Sequence, residues 1–275
     1  MKQKTRTHQI KCSFLAATFV VLARSAWPQT PNATLTSALN SEQIVEKMER
    51  HDKAQTEELE SYHAFRHYEV VYRGFFRTIT AEMDVEINYS ASSGKSFRIV
   101  SESGSHALCE RVLKRAVDSE QESSRSKEAT ALTEENYRFR LLGSGDLGNR
   151  PAYILEVQPQ TPSKFLYRGK VWVDATDFAL AKLEVQPAKN PSFWISQTLI
   201  HHTYAQTGGF WLPQQNRSET KVRIGGTAVL TIDYGTYQIV PKQARRIAGP
   251  SDEPVQILSV GSSLSKRTTG TEGFR

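Results

Sequence analysis

Short alternations of apolar and polar residues fill most of the chain between Tyr62 and Val240. AFRHYEVVYRG sets Ala64, Tyr68, Val70 and Tyr72 on one parity. MDVEINY is cleaner, with Met83, Val85, Ile87 and Tyr89 alternating against Asp84, Glu86 and Asn88. A period of two predicts strands with one packed and one wet face, as in antiparallel sheet. KSFRIVSE continues the pattern after a Ser92-Ser93-Gly94 turn, and NYRFRLLG and PAYILEVQPQ repeat it on either side of a Gly143–Pro151 loop. From Phe165 to Ile239 the strand pattern is punctuated by Asp174-Ala175-Thr176-Asp177, Asn190-Pro191, Gly208-Gly209 and Gly225-Gly226. Gly-Gly between alternating runs favours a primed hairpin turn, in which both positions need positive φ. About ten strands are expected.

Two substantial helices interrupt this rhythm. Ser41 is expected to cap the first, over EQIVEKMERHDKAQTEELE, where Ile44, Val45 and Met48 form a partial apolar stripe. Residues 106–129 read as a charged amphipathic helix whose polar end, SEQESSRSKEA, is expected to fray into a loop. No βαβ alternation appears, which disfavours a parallel sheet. The order of elements predicts an α+β fold: one strongly curved antiparallel sheet with helices covering its concave face.

The ends of the chain change the reading of its charge. Lys2, Lys4, Arg6 and Lys11 precede an apolar run from Phe14 to Leu22, and small residues follow at Ala23, Ser25 and Ala26. This is the pattern of a secretory signal peptide, so residues 1–26 are expected to be cleaved on export to the periplasm. The run is too short for a bilayer-spanning helix, which needs about 20 residues. Cys12 lies before the apolar core, where it does not serve as a lipidation site. Removing this segment takes away five of the 35 Lys and Arg residues and none of the 29 Asp and Glu, so the formal charge falls from +6 to +1. The basic pI therefore gives no support for a nucleic-acid partner. Residues 27–40 read as a linker, 41–240 as the folded domain, and 241–275 as a disordered basic tail.

Candidate chemistry is sparse, and no catalytic residue, metal or cofactor is expected. Cys109, the one cysteine outside the leader, shares helical spacing with Leu108, Val112, Leu113 and Ala116, which favours a buried apolar role. A reactive thiol wants a positive, exposed setting and a partner; Arg111 and His106 lie nearby in sequence. His201 and His202 are adjacent on a strand and point to opposite faces, so they do not chelate one ion together. The glycines of GSGDLG match no phosphate loop, and no nucleophile elbow occurs. Broad aromatic surface is the more informative feature. Trp172, Phe193, Trp194, Phe210 and Trp211 are candidates for an apolar ligand cavity, while Arg66, Arg73, Arg140 and Arg168 are candidates for its rim or lid. Trp172 shares parity with Lys170 and Asp174, and Val171 and Val173 take the other, so phase alone leaves both faces open as the inward one.

The leader, the first helix, the strands with an inserted helix and the run YRGKVWVDATDFALAKLEV resemble the LolA/LolB-like superfamily. NPSFWI followed by GGFWLP is similar to its bacterial outer-membrane lipoprotein-sorting proteins. The likeness covers about residues 41–240. It implies an incomplete β-barrel, lidded by helices, whose hollow receives acyl chains of lipids or lipoproteins, in a non-catalytic periplasmic carrier; the chain is expected to be a monomer. Two other readings remain: an envelope sensor that holds a membrane protein through protein contacts, and an exported hydrolase, for which convergent catalytic side chains are missing.

Overall fold

The computed structural model describes residues 39–242 apart from 191, 192, 194 and 224. The expected signal peptide, all but the last two residues of the linker, and the tail beyond Lys242 lie outside the described residues. Helix α1 (Ser41–Glu58) begins one residue earlier than its sequence signal suggests, because Asn40 rather than Ser41 is the cap. Asn40 Oδ1 accepts from the Gln43 N–H at 2.8 Å, and Gln43 Oε1 accepts from the Asn40 N–H at 3.1 Å. Two orphan donors of the first turn are thereby satisfied reciprocally.

The chain then enters β1 (Leu59–Arg73), β2 (Thr78–Ser90) and β3 (Gly94–Gly104). A helical segment follows: α2 (His106–Leu108), a π-helical turn (Cys109–Leu113), α3 (Lys114–Arg125) and α4 (Lys127–Thr130). The remaining strands are β4 (Tyr137–Leu147), β5 (Arg150–Pro159), β6 (Tyr167–Asp174), β7 (Leu180–Pro187), β8 (Ile195–Thr207), β9 (Phe210–Val222) and β10 (Thr227–Pro241). All ten form one open antiparallel sheet in the order β3-β2-β1-β10-β9-β8-β7-β6-β5-β4. The long pairing of β1 with β10 joins the two ends of the domain, as in Tyr68 opposite Ile232.

The turn chemistry acts where it is needed. Gly208 and Gly209 link β8 to β9, and Gly225 and Gly226 sit between β9 and β10, all with positive φ. The Gly143–Pro151 stretch differs from expectation. It is strand almost throughout, with a bulge between Leu141 and Gly143 and only a tight turn between Leu147 and Arg150. Glycine at +144° accommodates the bulge, so the strand passes through a glycine-rich run that resembles a loop. The polar run after Ser119 is likewise helix to Arg125 rather than frayed chain.

Register places Met83, Tyr68, Ile232, His202, Leu183, Val171, Leu155 and Leu141 on one face of the sheet. Both helical elements pack on that face. Ile44, Val45 and Met48 of α1 join Leu155, Val157, Val171, Val173 and Val185 in one apolar cluster. Cys109, Leu113 and Val117 join Tyr68, Val70, Met83, Val85 and Ile87 in another. Because β3 and β4 are consecutive in sequence but lie at opposite edges, the helical segment must traverse the sheet between them.

Candidate functional site

The two apolar clusters sit toward the two edges of the sheet, and the strip between them is different. Here β8, β9 and β10 present His202, Tyr204, Asn216, Ser218 and Tyr234. A cavity of about 310 Å³ opens between α1, the residues after α4 and the ends of β7, β8 and β9, and it touches this strip at Tyr204. Met48 and Gln55 of α1, Leu132 after α4, and Leu180, Tyr204 and Trp211 are among its lining residues. Its size is at the lower end of the ~300–1,000 Å³ range of small-molecule sites.

Trp211 is held from three sides. The Gln55 side chain accepts from its N–H at 2.6 Å and donates to its carbonyl at 3.0 Å, so the amide acts as a piece of neighbouring strand that ties α1 to β9. The indole Nε1–H donates to Asp177 at 3.0 Å. Arg150 donates to both Asp174 and Asp177 and places its guanidinium 5.3 Å from the indole ring. Asp174 also accepts from the Thr176 and Asp177 N–H groups, so the β6–β7 turn is rigid where it meets the tryptophan. Burial pushes the Asp174 carboxyl up, but these bonds outweigh it and its pKa is lowered.

A run of stacked rings connects Tyr204 of the cavity wall to a buried ionic cluster. Arg66, on β1, is 2% exposed. Its Nη1 donates to Glu120 of α3 at 2.6 Å, and Lys95 of β3 donates to the other oxygen at 3.0 Å. Burial opposes ionisation of Glu120, yet Lys95 and Arg66 prevail and hold its pKa at about 2. The guanidinium stacks 4.4 Å over Tyr234. Tyr234 in turn lies 5.7 Å from His202, which stacks 4.5 Å from Tyr204 of the cavity wall. Burial drives His202 down to about 4, so its ring is neutral at pH 7. The Tyr68 hydroxyl lies against the Arg66 guanidinium, and among the described residues the sealed His202 Nε2 has no hydrogen-bond partner.

The residues expected from sequence separate. Trp211 lines the cavity, whereas Phe210 is buried in the apolar cluster of β1, β2 and β10. Trp172 lies on the other face, since its neighbours Val171 and Val173 point toward α1; Lys182 Nζ sits 4.7 Å over its ring. Phe193 is 74% exposed with Arg223 stacked at 5.1 Å, and Trp194 is outside the described residues. Of the arginines, only Arg66 is buried. Arg73, Arg140 and Arg168 are exposed, and Arg140 pairs with Glu156 on the outer face. His201 also points outward, toward Glu184, opposite in sense to His202. Cys109 is 3% exposed, donates to the Ser103 carbonyl, and has its pKa raised mainly by burial. Gln55, Lys95, Glu120, His202 and Tyr204 were not among the expected site residues. His202 and Tyr204 share the parity of Ile200, which is a usable signal; Glu120 sits in a uniformly polar run with none.

No family model matches the chain. No curated protein sequence matches it either. Among solved structures, the chain is similar to the following three. A DUF1329 family protein from Desulfovibrio piger is 11% identical, with a TM-score of 0.38 over 74% of this chain and 94% of that one. A putative outer membrane lipoprotein-sorting protein domain from Vibrio parahaemolyticus is 13% identical, with a TM-score of 0.38 over 73% and 93%. A LolA superfamily protein from Nitrosomonas europaea is 15% identical, with a TM-score of 0.32 over 75% and 97%.

Proposed function

We propose that this chain is a non-catalytic carrier of the bacterial envelope, acting in the periplasm, that shelters the acyl chain of a lipid or lipoprotein between its curved sheet and the helices over the concave face. The observation that carries this reading is the room beside α1 to which Met48, Leu132, Leu180, Tyr204 and Trp211 give an apolar lining, with Glu49, His51, Asp52, Lys53, Gln55 and Thr133 as its polar part. An acyl chain gains about 0.8 kcal/mol for each methylene withdrawn from water, so such a hollow binds one without specific contacts. The lining is wide and stiff at Trp211 and adaptable at Met48, which suits a hydrocarbon guest.

The β1–β2 tip supports the same reading. Phe75 and Phe76 are 80% and 101% exposed, close in sequence to Arg73 and Arg77. Apolar rings with a cationic collar settle at anionic lipid surfaces, where a carrier would load or release. The test is native mass spectrometry of protein purified without detergent. A discrete lipid adduct, regained by delipidated protein from vesicles, supports the carrier. Lipid-free protein that retains one envelope protein, and takes up no lipid, supports the sensor reading instead.

A further inference from the structure

We propose that Arg66 and Lys95 form the head-group subsite of this hollow, and that the carboxylate or phosphate of an anionic amphiphile replaces Glu120 on them. This rests on the carrier reading and adds the chemical class of its cargo.

The argument begins with which element carries which charge. The two cations belong to the sheet, and the carboxylate belongs to α3. Arg66 cannot follow a departing helix, because β1 is hydrogen-bonded to β2 on one side and β10 on the other. α3 is held more lightly: within Lys114–Arg125 only Val117 is buried, and the deep anchors Cys109 and Leu113 lie in the preceding turn. If a ligand displaces α3, a guanidinium that is now 2% exposed loses its counter-ion. An unpaired buried charge costs several kcal/mol, and a neutral hydrocarbon supplies nothing against that cost. An anionic head group does.

The cluster also has bonding capacity that Glu120 leaves unused. Glu120 engages Nη1 of Arg66, while Nε, on the opposite edge of the guanidinium, makes no hydrogen bond to Glu120. A carboxylate or phosphate seated across the Nη1 and Nη2 edge takes two donors at once, the bidentate arrangement for which arginine is suited, whereas Glu120 takes Nη1 alone. His202 Nε2, on the same face, is sealed and without a hydrogen-bond partner among the described residues. With His202 neutral, Arg66, Lys95 and Glu120 leave the cluster with a net positive charge. A chain of rings then leads from head to tail: Tyr234 under the guanidinium, His202, and Tyr204, which is part of the apolar cavity wall.

The experiment is calorimetric titration of the delipidated full-length chain at pH 7.5 with dodecanoate, dodecanol and inorganic phosphate. Dodecanoate is expected to bind at least about tenfold more tightly than dodecanol, a preference of about 1.4 kcal/mol. In Lys95→Met, whose side chain is 26% exposed and whose fold should survive, that preference should narrow to about twofold. Glu120→Gln should tighten dodecanoate. Equal binding of dodecanoate and dodecanol overturns the head-group subsite and leaves the hollow intact. Phosphate binding as tightly as dodecanoate overturns it in favour of a free-anion site, and failure of both amphiphiles overturns the carrier reading as well.

Discussion

Nη1 of Arg66 lies 2.6 Å from Oε2 of Glu120, so a cation buried on β1 is neutralised from a helix packed on the sheet. Removing one partner leaves the other charge uncompensated. Glu120→Ala is therefore expected to lower unfolding free energy by about 3–5 kcal/mol in a urea titration. Replacing both, as Arg66→Met with Glu120→Leu, should recover most of that loss, since an apolar pair of similar volume needs no counter-ion. Equal destabilisation by the single and double variants would show that the pair is not coupled.

His202 makes stability depend on pH. Burial, aided by Arg66 and Lys95 against the opposing pull of Glu120, depresses its folded pKa to about 4 from an ordinary 6.5. Below about pH 6.5 the unfolded ring takes a proton that the folded ring refuses. The stabilisation is thus complete above that pH and is lost as pH falls toward 4, at up to about 1.4 kcal/mol per unit. His202→Phe should flatten this slope when urea midpoints are compared between pH 4.5 and 7. An unchanged slope in the variant would remove His202 as its source.

Asp177 fixes the indole of Trp211 through a 3.0 Å hydrogen bond. Asp177→Ala frees a buried N–H donor, at a cost of about 1–3 kcal/mol. Emission from Trp211, isolated by changing the other tryptophans to phenylalanine, should shift to the red as the ring loosens. A spectrum identical to the parent would mean that the turn does not position the cavity wall.

The β1–β2 tip is separable from the hollow. Phe75→Ser with Phe76→Ser removes two rings that are 80% and 101% exposed, so stability should hold. Each inserted ring is worth about 1.5–3 kcal/mol, so co-sedimentation with phosphatidylglycerol vesicles should weaken at least about tenfold. Undiminished co-sedimentation would place membrane contact elsewhere.

Much of the scaffold was legible in the chain because burial on one face leaves a period of two. Met83, Val85, Ile87 and Tyr89 gave β2 its inner face directly, and the paired glycines marked two hairpins. Trp172 shows where this fails: size suggested an inward ring, yet Val171 and Val173 meet α1, and the tryptophan lies along Lys182 outside. Arg66 shows the converse. A strand arginine ordinarily reads as solvated, and only the tertiary arrival of Glu120 and Lys95 makes its burial possible. Gln55 carried no signal either, because its role depends on the backbone of Trp211, distant in sequence.

The central claim is that a hydrocarbon chain occupies the space beside Trp211. Quenching by a fatty acid brominated along its chain tests it most directly, in a variant that keeps Trp211 and has phenylalanine at the other tryptophan positions. Strong, saturable quenching is predicted, with little in the matching variant that keeps only Trp172 on the outer face. Quenching of Trp172 with Trp211 untouched would contradict the account.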